Sequence, residues 1–122
     1  MAPGWARVVN AHNGGVYLER AWMADYWTGR LTGLLGRRRL GEGEGIWLSP
    51  CGGIHTLFMI FPIDVAFLDA TGRVLRVAEG VPPFWMKAGP RGTASVVESR
   101  SGWAAKSGLR AGDDLKIIPL DE

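Results

Sequence analysis

A thiol, an imidazole and a carboxylate lie close together in an otherwise apolar stretch of the chain: Cys51, His55 and Asp64. Two glycines, Gly52 and Gly53, separate the cysteine from the histidine and are flexible enough for both side chains to turn toward one point. A nucleophile, a base and an orienting acid are the groups that a thiol hydrolase requires. The same side-chain types also bind zinc or copper, with one coordination position left open. The three residues are therefore the catalytic and the metal-ligating candidates.

The same residues also have a purely structural interpretation, which the sequence favours. Cys51 can pack as a small buried hydrophobe, and His55 can donate to a backbone carbonyl. Asp64 needs backbone donors to offset its desolvation in an apolar run. Structural zinc takes four ligands in paired spacings, and the only other histidine, His12, is far away in sequence. We therefore expect no metal and no cofactor, and we favour a protein that is not an enzyme.

Tryptophan is frequent for a chain of this size, with six among 122 residues. Five of them flank the predicted strands: Trp22, Trp27, Trp47, Trp85 and Trp103. Indoles at the rim of a β-fold can stack on a sugar or another flat ligand, and the ordinary alternative is that they cover a small core that needs bulk. The predicted ligand-binding set combines indoles with polar groups: Trp47, His55, Asp64, Trp85 and Arg37.

Short strands are the elements that must position these side chains. Turn sequences at 13–15 and 69–72 predict two hairpins. A strand beginning near His55 has apolar residues on both faces, which predicts a central place in a sheet. The predicted strands cover residues 6–10, 15–20, 46–48, 54–60, 65–68, 73–78, 94–99 and 115–118.

Helical signals are few. Leu31, Leu34 and Leu35 share one helix face and predict a helix of two to four turns between Trp22 and Leu35, and a shorter helix is predicted around residues 104–106. No strand–helix–strand alternation of the kind that builds a parallel sheet is visible. The predicted fold class is mainly β (α+β), a small β-barrel or sandwich with one or two short packed helices, in a single domain over residues 1–122.

Composition and charge exclude several classes of function. The net charge is +2, from 14 basic and 12 acidic residues, so the chain has little field to attract nucleic acid. The basic cluster at 37–39 is expected to end a helix, with a phosphate or an acidic partner as the alternative. A lone cysteine cannot form an internal disulfide, and we see no signal sequence and no segment long enough to span a membrane. These features predict a cytoplasmic protein.

Two glycine-rich segments resemble binding motifs. Residues 41–45, with the sequence GEGEG, could let backbone amides approach a phosphate. Two glutamates would repel the phosphate and no G-K-[ST] sequence follows, so we predict a plain turn. Residues 108–113, with the sequence GLRAGD, resemble an element of peptide-binding PDZ domains. No carboxylate-binding loop lies upstream, so we predict only a turn before a strand.

Four blocks of sequence together resemble the domain of unknown function 192 family of bacteria and archaea: RLTGLLGR at 30–37, GIWLSPC at 45–51, IHTLFMIFPIDVAFLD at 54–69, and GLRAGD at 108–113. The resemblance covers nearly the whole chain. It implies a mainly β domain, often encoded alone, and it supplies no activity.

We therefore interpret the chain as a ligand- or partner-binding domain, with a pocket near Cys51, His55 and Asp64 that tryptophans rim. A Cys/His-dependent or metal-dependent hydrolase at the same place is the first alternative. The second is a protein-interaction module that uses Phe84, Trp85 and the arginine cluster.

Overall fold

The computed structural model describes residues 4–24, 40–49, 53–55, 61–82 and 86–120. Strands account for 57% of these residues, and a single short helix accompanies them in the described part of the chain. The elements are β1 (Gly4–Asn10), β2 (Val16–Ala24), β3 (Glu44–Leu48), β4 (Gly53–His55), β5 (Ile63–Leu68), β6 (Val74–Val81), β7 (Met86–Ala88), β8 (Ser95–Arg100), α1 (Trp103–Ser107) and β9 (Leu115–Pro119). No described helix is both long enough and apolar enough to cross a membrane.

Seven strands form the main sheet, in the order β6-β5-β8-β3-β2-β1-β9. Both predicted hairpins are confirmed, since β1 pairs with β2 and β5 pairs with β6, each antiparallel. The pair β2–β3 is parallel, which the sequence pattern did not indicate. Parallel neighbours need a long crossover connection instead of a tight turn, so no local turn signal marks them.

The predicted β-barrel or sandwich is not confirmed, because the described strands form one main sheet that is not closed. Its two edge strands, β6 and β9, approach each other at one corner through an isolated bridge between Arg73 and Asp114. Three backbone hydrogen bonds support that corner: Val74 N donates to Asp113 O over 2.8 Å, Gly112 N donates to Val74 O over 2.8 Å, and Leu115 N donates to Gly72 O over 2.9 Å. The sheet is therefore curved, and among the described residues its two edges join at this corner.

Two predictions about individual elements are corrected. Ile54 and His55 are the described part of the predicted central strand, and they belong to β4, which pairs with β7 in a separate two-stranded sheet. The strand β5 lies inside the main sheet instead, and all six of its residues are buried. An apolar pattern on both faces suits either place, so it could not decide between them. The start of the predicted helix, Trp22–Ala24, belongs to β2, and residues 25–39 lie outside the described part.

The main sheet carries apolar side chains on both faces. Successive residues of β8 point to opposite sides, so Val97 enters the largest core cluster and Val96 enters another. Trp103 and Ala104 of α1 belong to the cluster of Val97, and we call that side of the sheet the helix face. The opposite face carries two smaller clusters, and the half-buried Phe61 packs against both of them.

A half-buried carboxylate, Asp114, reinforces the corner at which β6 and β9 meet. Its Oδ1 accepts a hydrogen bond from Arg73 Nε over 3.0 Å, and its Oδ2 lies 2.6 Å from His12 Nε2. The Arg73 hydrogen bond, followed by the His12 hydrogen bond, lowers the pKa of Asp114 from 3.8 to about 2. One side chain therefore links the β1–β2 turn to both edge strands.

We expect Asp114→Asn to lower the melting temperature at neutral pH. The folded pKa lies below the unfolded one, so the carboxylate contributes stability above about pH 3.8 and loses it as the pH falls toward 2. Thermal unfolding of the variant and the unmodified protein should therefore differ at neutral pH and converge near pH 2. Glu79→Gln, at an exposed position of β6, is the control. An equal difference at both pH values would contradict the assignment.

Candidate functional site

The structure describes only some of the residues that the sequence proposed as a site. Asp64 is described in full, whereas His55 is placed only as a residue of β4, opposite Met86. Cys51, Arg37 and Trp85 lie outside the described residues. The predicted convergence of Cys51, His55 and Asp64 therefore stays a prediction. Among the described residues, no group of three or more histidine, cysteine, aspartate or glutamate side chains could hold a metal ion.

Asp64 is completely buried on the helix face, and its carboxylate is fully engaged with the backbone. Oδ1 accepts a hydrogen bond from Gly80 N over 2.8 Å. Oδ2 accepts from Gly102 N over 3.0 Å and from Ala104 N over 2.9 Å, at the start of α1. Gly102, the N-cap residue of α1, has a left-handed φ of 96° and provides no capping side chain. Asp64 on β5 therefore caps the helix in its place. The structural interpretation of Asp64 is confirmed.

We expect Asp64→Asn to lower the free energy of unfolding by about 3 kcal/mol, since an amide nitrogen would face backbone donors and leave at least one of them unsatisfied. Urea denaturation measures this change. Ser107→Ala, at the other end of α1, is the control, because it removes one long side-chain bond of 3.4 Å to Ala104 O and should cost well under half as much. A loss below that of the control would exclude the capping role.

The tryptophans take different positions. Trp47 is 6% exposed and lies in the core, which fits the alternative that these residues supply bulk. Trp22 packs edge-to-face against Trp5 with ring centroids 5.3 Å apart, and the Arg20 guanidinium lies 4.1 Å from the centre of the Trp5 ring. Trp27, like Trp85, is outside the described residues. Trp103 alone of the described tryptophans lines a cavity that we discuss next.

A cavity of about 390 Å³ opens where α1 meets β2 and the end of β8, and we call it the cleft. Its apolar wall comprises Val16, Tyr17 and Trp103. The Trp103 indole is fixed, since its Nε1 donates to Tyr17 O over 2.8 Å, and Val16 is 43% exposed. Gly102 also lines the cleft, so the hydrogen bond that its backbone N donates to Asp64 holds part of the wall. Pockets for small molecules typically have about 300–1,000 Å³, so the cleft can take one small ligand.

Charged side chains surround the apolar wall. Glu42 forms an ion pair with Lys106, and its Oε2 lies 3.7 Å from Arg100 Nη2. Glu19, which also lines the cleft, accepts a hydrogen bond from Arg7 Nε over 3.1 Å. An apolar wall with a charged mouth suits a molecule that has an apolar body and a polar end. Sequence reasoning named Trp103 but missed the cleft, because its walls come from segments that are distant along the chain.

A second buried carboxylate, Glu98, was also missed. Glu98 is 6% exposed on the opposite face of the sheet, between the cross-strand neighbours Ile46 and Val65. Burial raises the pKa of its carboxyl from 4.5 to about 7. No described residue donates a hydrogen bond to it. The alternation of side chains along a strand could have predicted the burial of Glu98, because Glu98 lies on the same face as the apolar Val96.

We expect Glu98 to make stability fall as the pH rises. Between about pH 4.5 and pH 7 the unfolded chain loses this proton before the folded chain does, so the folded state becomes less favourable by about 3 kcal/mol. Glu98→Gln stays neutral throughout. Its free energy of unfolding, relative to that of the unmodified protein, should rise by about that amount between about pH 4.5 and pH 8. A difference that is independent of pH would contradict the raised pKa.

The curved sheet, its single described helix and the cleft beside that helix define a small, mainly β domain whose described residues form no metal cluster. The family model DUF192, described as an uncharacterized ACR, matches residues 8–117, so the chain belongs to the domain of unknown function 192 family. The resemblance found in the sequence is thereby confirmed.

Two solved structures share the fold. The crystal structure of a "putative transcription regulator" from Sinorhizobium meliloti 1021 superposes with a TM-score of 0.78 at 21% sequence identity, covering 96% of each chain. That of a protein of unknown function from Novosphingobium aromaticivorans DSM 12444 gives 0.70 at 25% identity, covering 95% of this chain and 93% of the other. No curated protein matches the chain. These comparisons show the fold in two proteins from bacteria and assign no activity to this chain.

Proposed function

We propose that this domain binds a small ligand and that the cleft is its binding site. The observation that carries the proposal is the juxtaposition, in one cavity, of a fixed indole with paired charges at the mouth. The cavity has about 390 Å³, and the indole of Trp103 is held by its bond to Tyr17 O. A fixed apolar wall loses little conformational entropy on binding, which favours affinity for a small molecule.

Asp64 has an indirect part in this proposal. Its carboxylate holds the backbone of Gly102 and Ala104, and Gly102 and Trp103 line the cleft. The proposed binding site is therefore the cleft between α1 and β2, and it replaces the pocket near Asp64 that the sequence predicted. The hydrolase and interaction-module alternatives rest chiefly on Cys51, His55 and the residues around Trp85, and no described contact favours either of them.

The test fills the cleft from its exposed side. Small aromatic and aliphatic fragments are screened by ligand-observed NMR against the unmodified protein and against Val16→Trp, whose indole would occupy the cavity. Ile118→Trp is the matched control, because Ile118 is 39% exposed on β9 and does not line the cleft. We expect fragments to bind the unmodified protein and the control, and to lose at least about tenfold in affinity for Val16→Trp.

Absence of any binding fragment, or equal binding to both tryptophan variants, would reject the cleft as the site. Thermal unfolding of each variant verifies that the fold is retained. If Val16→Trp does not fold, the chemical shift of the Trp103 Nε1–H in the unmodified protein gives the same information, since a ligand in the cleft must perturb it. That signal is assigned by its absence from Trp103→Phe.

A further inference from the structure

The turn before β3 holds a carboxylate in the mouth of the cleft. Glu44 N donates to Gly41 O over 3.1 Å, and the Glu44 carboxylate accepts from Gly41 N over 2.8 Å. Arg20 N also donates to Gly43 O over 3.0 Å. These bonds confirm the plain turn predicted for the glycine-rich segment, and they fix its backbone. Glu42, between the two glycines, therefore projects from a rigid base, and its side chain can rotate without a change in the turn.

Each oxygen of the Glu42 carboxylate faces a different cation. Oε1 pairs with Lys106 on α1, and Oε2 lies 3.7 Å from Arg100 Nη2 at the end of β8. The two basic residues come from separate elements, yet they converge on one carboxylate beside the wall formed by Trp103. Arg100 and Lys106 therefore form a site in which one carboxylate can bridge two positive charges.

The charges at the mouth do not cancel. Glu19 is paired with Arg7, which does not line the cleft. Among the described residues, Glu42 is the carboxylate that pairs with both Arg100 and Lys106. When Arg7 is counted with its partner Glu19, three positive and two negative charges lie at or beside the mouth, which leaves it net positive over an apolar wall. Such a mouth attracts an anion and disfavours a cation.

We propose that the cleft selects molecules that join a carboxylate to a small apolar body, and that Glu42 occupies the carboxylate position when no such ligand is bound. This inference rests on the ligand-binding function proposed above. The ligand carboxylate takes the place of Glu42 between Arg100 and Lys106, and its apolar body lies against Trp103 and Val16. The Glu42 side chain is 61% exposed, and exposed ion pairs contribute little stability, so its displacement into solvent costs little.

The experiment compares two ligands of the same shape and different charge, phenylacetate and phenylacetamide, in NMR titrations at constant ionic strength. We expect phenylacetate to bind at least about tenfold more tightly to the unmodified protein. Glu42→Gln should bind phenylacetate several-fold more tightly, because the internal competitor is gone, and should leave phenylacetamide binding unchanged. Arg100→Gln and Lys106→Gln should each weaken phenylacetate by about tenfold and bring it close to the amide.

Matched controls carry the same charge changes away from the cleft: Glu79→Gln on β6, Arg91→Gln in the turn before β8, and Lys116→Gln on β9. Each should leave the affinity for phenylacetate within about twofold of that of the unmodified protein. Controls that match the cleft variants would mean that overall charge, not the mouth, determines affinity, and would overturn the inference.

Inorganic phosphate provides a third arm of the experiment. If phosphate alone competes as strongly as phenylacetate, the mouth binds anions generally and the apolar body has no part, which overturns the inference. Equal binding of phenylacetate and phenylacetamide, or no gain in Glu42→Gln, also overturns it while leaving ligand binding in place. Failure of both ligands together with every fragment of the wider screen would instead reject the proposed function itself.

Discussion

The arrangement of α1 on the sheet depends on one buried carboxylate. Asp64 lies on a strand whose every residue is buried, and its two oxygens accept hydrogen bonds from β6 and from the first turn of α1. A helix of five residues, Trp103–Ser107, is too short to be stable alone, so its position must come from tertiary contacts. Trp103 supplies the apolar part of these contacts and Asp64 supplies the polar part. The wall of the cleft depends on both.

The two faces of the sheet each bury one carboxyl group, but they differ in the hydrogen-bond donors around it. On the helix face, Asp64 has three backbone donors that compensate for its desolvation. On the opposite face, Glu98 lies between Ile46 and Val65, with no donor among the described residues, and burial raises its pKa to about 7. The same chemical group therefore fixes a helix on one side of the sheet and opposes stability on the other.

The sequence was informative where the signal was local. The turns at 13–15 and 69–72 and the strand periods predicted both hairpins, and the apolar setting of Asp64 correctly predicted that it needs backbone donors. Contacts between distant segments gave no such signal. The parallel pair β2–β3 and the separate β4–β7 sheet depend on connections that no turn sequence encodes. The cleft likewise joins Val16, Glu42 and Lys106, which only the complete fold brings together.

The pairing of β1 with β9 also constrains the order in which the protein can fold. Ala6 lies opposite Pro119, so the first described strand obtains one of its two neighbours only after nearly all of the sequence between them has been made. The hairpin β1–β2 and the hairpin β5–β6 can form early, because each closes a short loop. On the ribosome, β1 would keep an exposed edge throughout synthesis. Arg7 lies on β1 and pairs with Glu19. Its charge on the exposed strand makes pairing with another nascent chain less favourable until β9 is in place.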